Sequence, residues 1–356
     1  TTIALVLALK ILLFVFAAQA FVVLANRDLG WLDMWNRWDA RIYVDLARQG
    51  YVSSGPHESW IVFFPLYPWL VCLFEIVVGD YRFAAILVSA IASVAAALLL
   101  RRLTSLDQAA PVARNAVWFL FIFPTSYFLH IGYTEALFLA FILGSFLAAR
   151  REHWPLAGAL GAAACLTRVT GLALFPALAA EAWLQYRTTR RFDPRWLWIG
   201  LLAAGIGIYL ALNFYVTGDP FAFTKFENKN WAKHLAPPWV GLNDLWRGLS
   251  ERPPADSLMI SSYELFFIGL ALAGTVWSWF RLRASYTIWM LANLLLIICN
   301  SFISSAPRYD LALFPLFIWA ARVSAERPLV HALLSAVSLL FLGLFATAFV
   351  LNHWAF

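Results

Sequence analysis

Apolar residues recur along this chain in runs of about 20, separated by short polar connections that are rich in arginine. A helix of that length spans the hydrocarbon core of a bilayer, and helices satisfy their own backbone groups there. The pattern predicts an all-α polytopic membrane protein that forms a single integral membrane domain over residues 1–356. About 11 transmembrane helices are expected, over residues 3–25, 82–100, 113–131, 134–149, 154–167, 170–186, 196–216, 263–280, 284–302, 309–322 and 329–351.

Composition agrees with this class. The chain is 62% hydrophobic and 13% charged, about half the charged fraction of a soluble domain. The first run is too long for the core of a signal peptide and has no cleavage site, so we expect a retained span. Each of the three cysteines lies inside an apolar run without metal-ligand spacing. Glycines 158, 161, 205 and 207 are predicted to be close helix-packing positions.

Arginines set the predicted orientation. The five short connections hold 13 arginines against four acidic residues, which places these connections in the cytoplasm by the positive-inside rule. The net charge of +6 therefore does not indicate a nucleic-acid partner. Residues 26–81 then form the first extracytoplasmic loop, and residues 217–262 form the second. Within the first loop, Pro65 and Pro68 interrupt residues 61–79, so we expect juxtamembrane helices there, interfacial or partly inserted.

Polar residues that are costly near lipid gather on the predicted outer face, where they are expected to bind or react. Five separate loops contribute them, and the candidates are Arg37, Asp39, Arg41, Glu135, Arg168, Asp219, Lys225, Arg308 and Tyr309.

Several of these residues have structural alternatives. Asp39 could cap a short amphipathic helix over residues 40–48, since Asp is a favoured N-cap. Arg168 has no acidic neighbour in sequence, so a structural role requires a distant partner such as Glu135. Arg308 could extend to the interface instead of contacting a ligand. Glu135 could replace Asp39 as a base, whereas His130 and His234 lack motif support.

Short motifs in these loops resemble the PIG-V family of membrane mannosyltransferases (GPI mannosyltransferase 2-like), which belongs to the GT-C glycosyltransferase class. They follow the family's order across about residues 30–320. The matching motifs are Arg37-Trp38-Asp39-Ala40, Gly50-Tyr51, Phe63-Phe64-Pro65-Leu66-Tyr67-Pro68, Phe123-Pro124-Thr125, Tyr133-Thr134-Glu135, Arg168-Val169-Thr170-Gly171, Gly218-Asp219-Pro220 and Pro307-Arg308-Tyr309.

The resemblance implies a GT-C-type fold and transfer of mannose from a polyprenyl-phosphate carrier on the extracytoplasmic side. The chain lacks long lumenal insertions and so looks more like the bacterial branch. That branch implies the bacterial inner (plasma) membrane with the active site facing outward, or the ER membrane if the protein is eukaryotic. The expected partners are the polyprenyl-phosphate sugar donor, membrane lipids and a lipid-linked or glycan acceptor.

The residues suggest a mechanism consistent with this class. Asp39 would take the proton of the acceptor hydroxyl, and Arg37 and Arg41 would keep it ionised. Arg308 and Arg168, with Lys225 behind them, would stabilise the departing phosphate, and the last motif adds Tyr309. One displacement would invert the anomeric carbon. Glu135 and the motif residues Tyr67 and Asp219 are supporting candidates.

No Asp-x-Asp pair occurs in the chain, so we expect no obligatory metal or other cofactor. The rival from another class is a transporter or lipid flippase, whose charges would mark a substrate path through the membrane. A non-catalytic subunit of a glycosylation complex is a third possibility. Within enzymes, the alternative is a GT-C transferase for another sugar, such as glucose or arabinose.

Overall fold

A computed structural model describes residues 1–26 and 30–356. The described residues form helices and no β-strand, which confirms the predicted all-α class. The α-helices are α1 (Thr2–Ala25), α2 (Trp31–Trp35), α3 (Asp39–Gln49), α4 (Leu66–Val78), α5 (Tyr81–Thr104), α6 (Ala110–Phe121), α7 (Glu135–Arg150), α8 (Trp154–Thr167), α9 (Leu174–Thr189), α10 (Leu201–Thr217), α11 (Ala222–Trp231), α12 (Pro238–Glu251), α13 (Pro254–Asp256), α14 (Tyr263–Arg281), α15 (Ala284–Ile298), α16 (Ala306–Tyr309), α17 (Pro315–Ser324) and α18 (Pro328–Val350).

Shorter helical segments connect these helices. Ser257–Ser262 is a π-helical segment between α13 and α14. The 3₁₀ segments are Glu58–Val62, Ser126–Leu129, Val169–Ala173, Pro194–Gly200 and Asp310–Ala312.

Several helical stretches of the described chain are long and apolar enough to cross a membrane. They are Thr2–Ala25, Tyr81–Thr104, Pro194–Thr217, Pro254–Arg281 and Pro328–Val350. These stretches confirm a polytopic membrane protein, whereas the total of about 11 spans stays a prediction. The predicted span 309–322 begins too early, because α17 starts only at Pro315. Proline is favoured at a helix start, where its missing N–H has no helical partner.

Residues 61–79 contain a helix that is short for a span. Helix α4 has 13 residues, which gives a length of about 20 Å at 1.5 Å per residue. The hydrocarbon core of a bilayer is about 30 Å thick. Helix α4 is thus too short to cross that core as one straight helix, in keeping with the expected juxtamembrane or partly inserted segment.

The chain divides into two compact units. The first consists of Thr1–Gln49, Tyr67–Leu143 and Leu316–Phe356, and the second of Gly50–Leu66 and Gly144–Pro315. Within the first unit, α1 packs against α5 and α18. The Lys10 ammonium, inside the α1 span, donates to the His130 carbonyl oxygen at 2.9 Å. A membrane-embedded cation is therefore satisfied by the protein itself. The predicted single membrane domain and the loop bounds stay predictions.

Small residues bring α8 and α10 of the second unit close together. A Cβ on Gly205 would lie 2.2 Å from the Ala162 carbonyl oxygen, and a Cβ on Gly161 would lie 2.6 Å from Leu202. This is the close backbone approach that small residues allow between membrane helices. The predicted packing role is wrong for Gly207, whose added Cβ would meet nothing within 4 Å.

A buried glutamate joins three helices of the second unit. Glu181 of α9 is 0% exposed, and its carboxylate accepts from Arg283 Nη2 at 2.6 Å and from Ser285 Oγ at 2.8 Å. Arg150, at the end of α7, lies 3.8 Å from the same carboxylate and donates to the Tyr286 hydroxyl at 2.6 Å. These contacts join α9 to the end of α7 and to the start of α15.

Replacing Glu181→Gln is expected to lower the free energy of unfolding by about 3 kcal/mol, because it leaves a partly buried arginine without its counter-charge. Thermal unfolding in detergent should show the midpoint fall by several degrees. Glu251→Gln is the matched control, since Glu251 pairs with Arg247 on an exposed surface and such pairs contribute little. Equal midpoints for the two variants would contradict the account.

Candidate active site

Asp39 is the first residue of α3. The Ala40 amide donates to the Arg37 carbonyl oxygen at 3.0 Å, which starts the helix ahead of its first regular turn. Trp38 has a φ of 50°, a left-handed conformation that is costly for a bulky residue. The helix predicted over residues 40–48 is confirmed, with Ala40, Tyr43, Val44, Leu46 and Ala47 on its buried face. Asp39 is half-buried and lies in the first turn, where the helix dipole favours an acidic side chain.

A buried run of hydroxyls leads to the main chain beside Asp39. The Tyr67 hydroxyl is fully buried, donates to the Ala85 carbonyl oxygen at 2.9 Å and lies 2.9 Å from Ser89 Oγ. Ser89 Oγ lies 3.1 Å from the Tyr133 carbonyl oxygen, and the Tyr133 hydroxyl donates to the Arg37 carbonyl oxygen at 3.3 Å. Tyr67 thereby connects α4 and α5 to the backbone two residues before Asp39.

Glu135 belongs to the same neighbourhood. It is the first residue of α7 and is 5% exposed. Burial raises the pKa of Tyr67, and the negative charge of Glu135 is among the smaller causes that raise it further. A Cβ added to Gly132 would lie 3.9 Å from Ala40 and 4.0 Å from the Tyr67 hydroxyl. Hence the loop that carries Glu135 packs against the start of α3, while Arg41 is exposed.

Two further motifs meet in the second unit. Arg168 follows the last residue of α8 in an extended conformation, with a φ of −155°. Its guanidinium carbon lies 5.2 Å from the centre of the Tyr309 ring, a cation–π contact. The structure thus brings together Arg168 and Tyr309, which are 141 positions apart along the chain.

The turn after Arg168 requires glycine. The Gly171 amide donates to the Arg168 carbonyl oxygen at 3.0 Å. A Cβ on Gly171 would lie 2.7 Å from the Cys165 nitrogen and 2.8 Å from the Ala164 carbonyl carbon. Both atoms are backbone atoms of α8 and cannot move away cheaply. The motif Arg168–Gly171 is therefore a close turn against α8 that fixes where Arg168 leaves the helix.

The motif of residues 63–68 contributes to the support of α8. Phe64 stacks on Tyr209 of α10 with 3.9 Å between ring centres, and the Tyr209 hydroxyl donates to the Ile61 carbonyl oxygen at 2.7 Å. Phe64, Tyr209 and Leu166 form a buried cluster. Leu166 precedes Arg168 by two residues, so this cluster holds the end of α8 that presents the arginine.

Arg308 lies on α16 and is buried, with 8% of its surface exposed. It does not extend to the surface as the structural alternative required. Ser305 and Ala306, at the start of α16, are held by a contact that the sequence analysis missed. Their backbone amides donate to the Glu264 carboxylate at 2.5 and 2.7 Å. Asp310, two residues after Arg308, is 0% exposed, and its carboxylate oxygens make no hydrogen bond within the described residues. Glu264 lies in an apolar stretch without a motif, whereas Asp310 directly follows the motif Pro307-Arg308-Tyr309 and was not singled out.

Lys225 and Asp219 form an ion pair with 2.6 Å between Nζ and Oδ2. The hydrogen bond from Lys225 holds the pKa of Asp219 below its usual range, and the Phe221 amide adds a second hydrogen bond at 2.9 Å. The Asp219–Lys225 ion pair is therefore present at and above the usual pKa of Asp. It is lost only when the pH falls through the lowered pKa of Asp219 and the carboxylate is protonated. To bind a phosphate, Lys225 would first have to leave Asp219.

His130 and His234, the two histidines without motif support, make no hydrogen bond or ion pair with the candidate residues above in the part of the chain that the structure describes. His130 is buried and lines an apolar cavity of about 430 Å³ beside α1 and α18. His234 is exposed, and its Nδ1 lies 3.1 Å from Ser301 Oγ. Outside residues 27–29, no three His, Cys, Asp or Glu side chains group as metal ligands. The expectation of a metal-free reaction stays a prediction.

One curated protein extends the motif resemblance. Over 140 residues the chain is 37% identical to GPI mannosyltransferase 2 of Yarrowia lipolytica, a match that covers 38% of this chain and 37% of that protein. The predicted resemblance to the PIG-V family is thereby confirmed, over little more than a third of the length of the relative. No family model matches the chain.

Solved structures with a similar course of the chain come from an archaeon. The crystal structure of the Archaeoglobus fulgidus oligosaccharyltransferase tethered to an acceptor peptide aligns with 98% of this chain and 55% of that chain, with a TM-score of 0.49 and 12% identity. A complex of an oligosaccharyltransferase from the same archaeon with an inhibitory peptide and a dolichol-phosphate gives a TM-score of 0.44 at 14% identity, over 96% and 55% of the chains.

Replacing Gly171→Ala is expected to lower the free energy of unfolding by about 1–3 kcal/mol, because the added methyl group overlaps the backbone of α8. Gly207→Ala is the matched control. Its Cβ enters open space, and Ala is the better residue inside a helix. Thermal unfolding in detergent should show the first variant less stable and the second unchanged or more stable than wild type. A stable Gly171→Ala protein would mean that the turn is not closely packed.

Proposed function

We propose that this chain is an inverting membrane mannosyltransferase that uses a polyprenyl-phosphate mannose donor on the extracytoplasmic side. The observation that carries the proposal is the 37% identity to a GPI mannosyltransferase over 140 residues. The apolar spans supply the setting for a lipid-linked donor. The alternatives, a transferase for another sugar and a transporter or flippase, have no comparable relative in their support.

Asp39 is the proposed general base. A base must present its carboxylate where the acceptor hydroxyl arrives, and it must be held in place by the protein. The start of α3 meets the second requirement, because buried aromatic and apolar residues anchor the helix and the Tyr133 hydroxyl contacts the Arg37 carbonyl oxygen. Arg37 and Arg41 flank the carboxylate in sequence. Tyr67 is proposed to support the backbone before Asp39 through Ser89 and Tyr133, and Glu135 is a second supporting candidate.

Arg308 and Arg168 are proposed to bind the phosphate of the donor. The leaving phosphate carries developing negative charge, and a guanidinium can bind two of its oxygens at once. Tyr309 orients Arg168 through the cation–π contact, at 5.2 Å. Lys225 is a secondary candidate, because its ion pair with Asp219 must open first. With cations in this role, the reaction is proposed to need no metal ion or other cofactor.

The acceptor is proposed to be a lipid-linked sugar or a glycan that is reached from the same side of the membrane. For a bacterial protein this places the reaction at the outer face of the plasma membrane, and for a eukaryotic one in the lumen of the ER. The carrier and the surrounding membrane lipids are the expected partners.

Replacing Asp39→Asn should reduce mannose transfer about 10²–10⁴-fold, the usual contribution of a general base. The variant should still bind polyprenyl-phosphate mannose, because the amide leaves the phosphate contacts in place. Asp45→Asn is the matched control on the same helix and should keep near wild-type activity. Transfer is measured with purified protein, synthetic donor and a mixed lipid acceptor pool, with and without a chelator.

Three results would contradict this proposal. An Asp39→Asn protein as active as wild type would remove the base assignment. Loss of wild-type activity in the chelator would show that a metal takes part. A wild-type protein that consumes no polyprenyl-phosphate mannose would remove the donor, and a flippase assay with the same lipid would follow.

A further inference from the structure

Glu264 makes an unusual contact for a carboxylate at the start of an apolar helix. It is 0% exposed, and its two oxygens accept from two consecutive backbone amides, Ser305 at 2.5 Å and Ala306 at 2.7 Å. Hydrogen bonds from backbone amides to a carboxylate are roughly twice as strong as those between neutral groups. Glu264 therefore anchors one point of the loop before α16 to α14.

The segment of residues 305–309, which Glu264 contacts, is not stable as a helix by itself. Helix α16 has only four residues, far fewer than a helix needs to be stable by itself. Ser305, which precedes it, has a φ of 68°, a left-handed conformation that is unfavourable for a residue other than glycine. External contacts must hold this backbone in place. At its far end the Trp289 indole N–H donates to the Ala312 carbonyl oxygen at 2.9 Å.

The same segment carries residues that we assign to the donor phosphate. Arg308 is on α16, one turn after the amides that Glu264 binds, and Tyr309 follows it. Tyr309 in turn lies under the Arg168 guanidinium. A shift of Ser305 and Ala306 would therefore move Arg308 directly and Arg168 through Tyr309.

We propose that Glu264 is a positioning residue for phosphate recognition: by binding the Ser305 and Ala306 amides, it sets where Arg308 and Tyr309 stand. This inference rests on the proposed function, because it assumes that Arg308 and Arg168 bind the donor phosphate. Glu264 is assigned a role through these residues and no contact of its own with donor or acceptor. Its carboxylate is required, since glutamine would place an NH₂ group against one of the two amide donors.

The test measures binding of a short-chain polyprenyl phosphate, without sugar, to the full-length protein in detergent. The variants are Glu264→Gln, Arg308→Ala and the double variant, with Glu181→Gln as the matched control. Glu181 is an equally buried glutamate of the same unit, but its partners are Arg283 and Ser285. Each protein is first checked by thermal unfolding, so that affinities compare folded samples.

Glu264→Gln should weaken binding about tenfold, the equivalent of one hydrogen bond to a charged group. The double variant should lose less than the sum of the two single losses, because part of the effect of Glu264 passes through Arg308. Glu181→Gln should bind like wild type despite its lower unfolding midpoint. If Glu264→Gln does not fold, Glu264→Asp is used, which keeps both acceptor oxygens on a shorter arm and should weaken binding less.

Two outcomes would overturn the inference while leaving the proposed function intact. One is a Glu264→Gln protein, or a Glu264→Asp protein in its place, that binds polyprenyl phosphate as tightly as wild type. The other is a double variant whose loss is the sum of the two single losses, which would make Glu264 independent of Arg308. A wild-type protein that does not bind polyprenyl phosphate at all would instead remove the proposed donor, and the inference with it.

Discussion

Charged and hydrogen-bonding groups among apolar helices have no bulk water as a partner, and the protein must satisfy them. Two fully buried glutamates of the second unit show how this constraint organises the chain. Glu181 accepts from Arg283 and Ser285 and joins α9 to the start of α15. Glu264 accepts from two backbone amides and holds α16. Removing either carboxylate leaves buried donors unsatisfied, so each contact constrains the segments it connects.

The same constraint holds the candidate functional residues in place. In the first unit, Asp39 begins a short helix whose preceding backbone is contacted by the buried Tyr133 hydroxyl. In the second unit, Arg308 sits on a four-residue helix whose first amide and the amide before it donate to Glu264. Reactive groups on short helices are placed accurately only when buried neighbours hold those helices. Within each unit, contacts from buried side chains therefore hold the short helix that carries a candidate residue.

The sequence was sufficient where local pattern decides the structure. The apolar run 154–167 coincides with α8, and the amphipathic helix predicted over residues 40–48 lies within α3 (Asp39–Gln49). It was insufficient where distant contacts decide. Glu264 binds amides 41 and 42 positions away, and no spacing rule connects such residues. The contact between Arg168 and Tyr309 likewise depends on how α8 packs, which periodicity does not determine.

The central claim is that the donor is a lipid monophosphate sugar. The most direct test offers the purified protein two labelled donors side by side, polyprenyl monophosphate mannose and a nucleoside diphosphate mannose. In the proposed reaction, the Arg308 and Arg168 guanidinium groups bind the single phosphate of the donor, and no metal ion is needed. The account therefore predicts transfer from the lipid donor alone, in the presence of a chelator, with the anomeric configuration inverted. Transfer from the nucleotide donor, or transfer from the lipid donor with retained configuration, would contradict it.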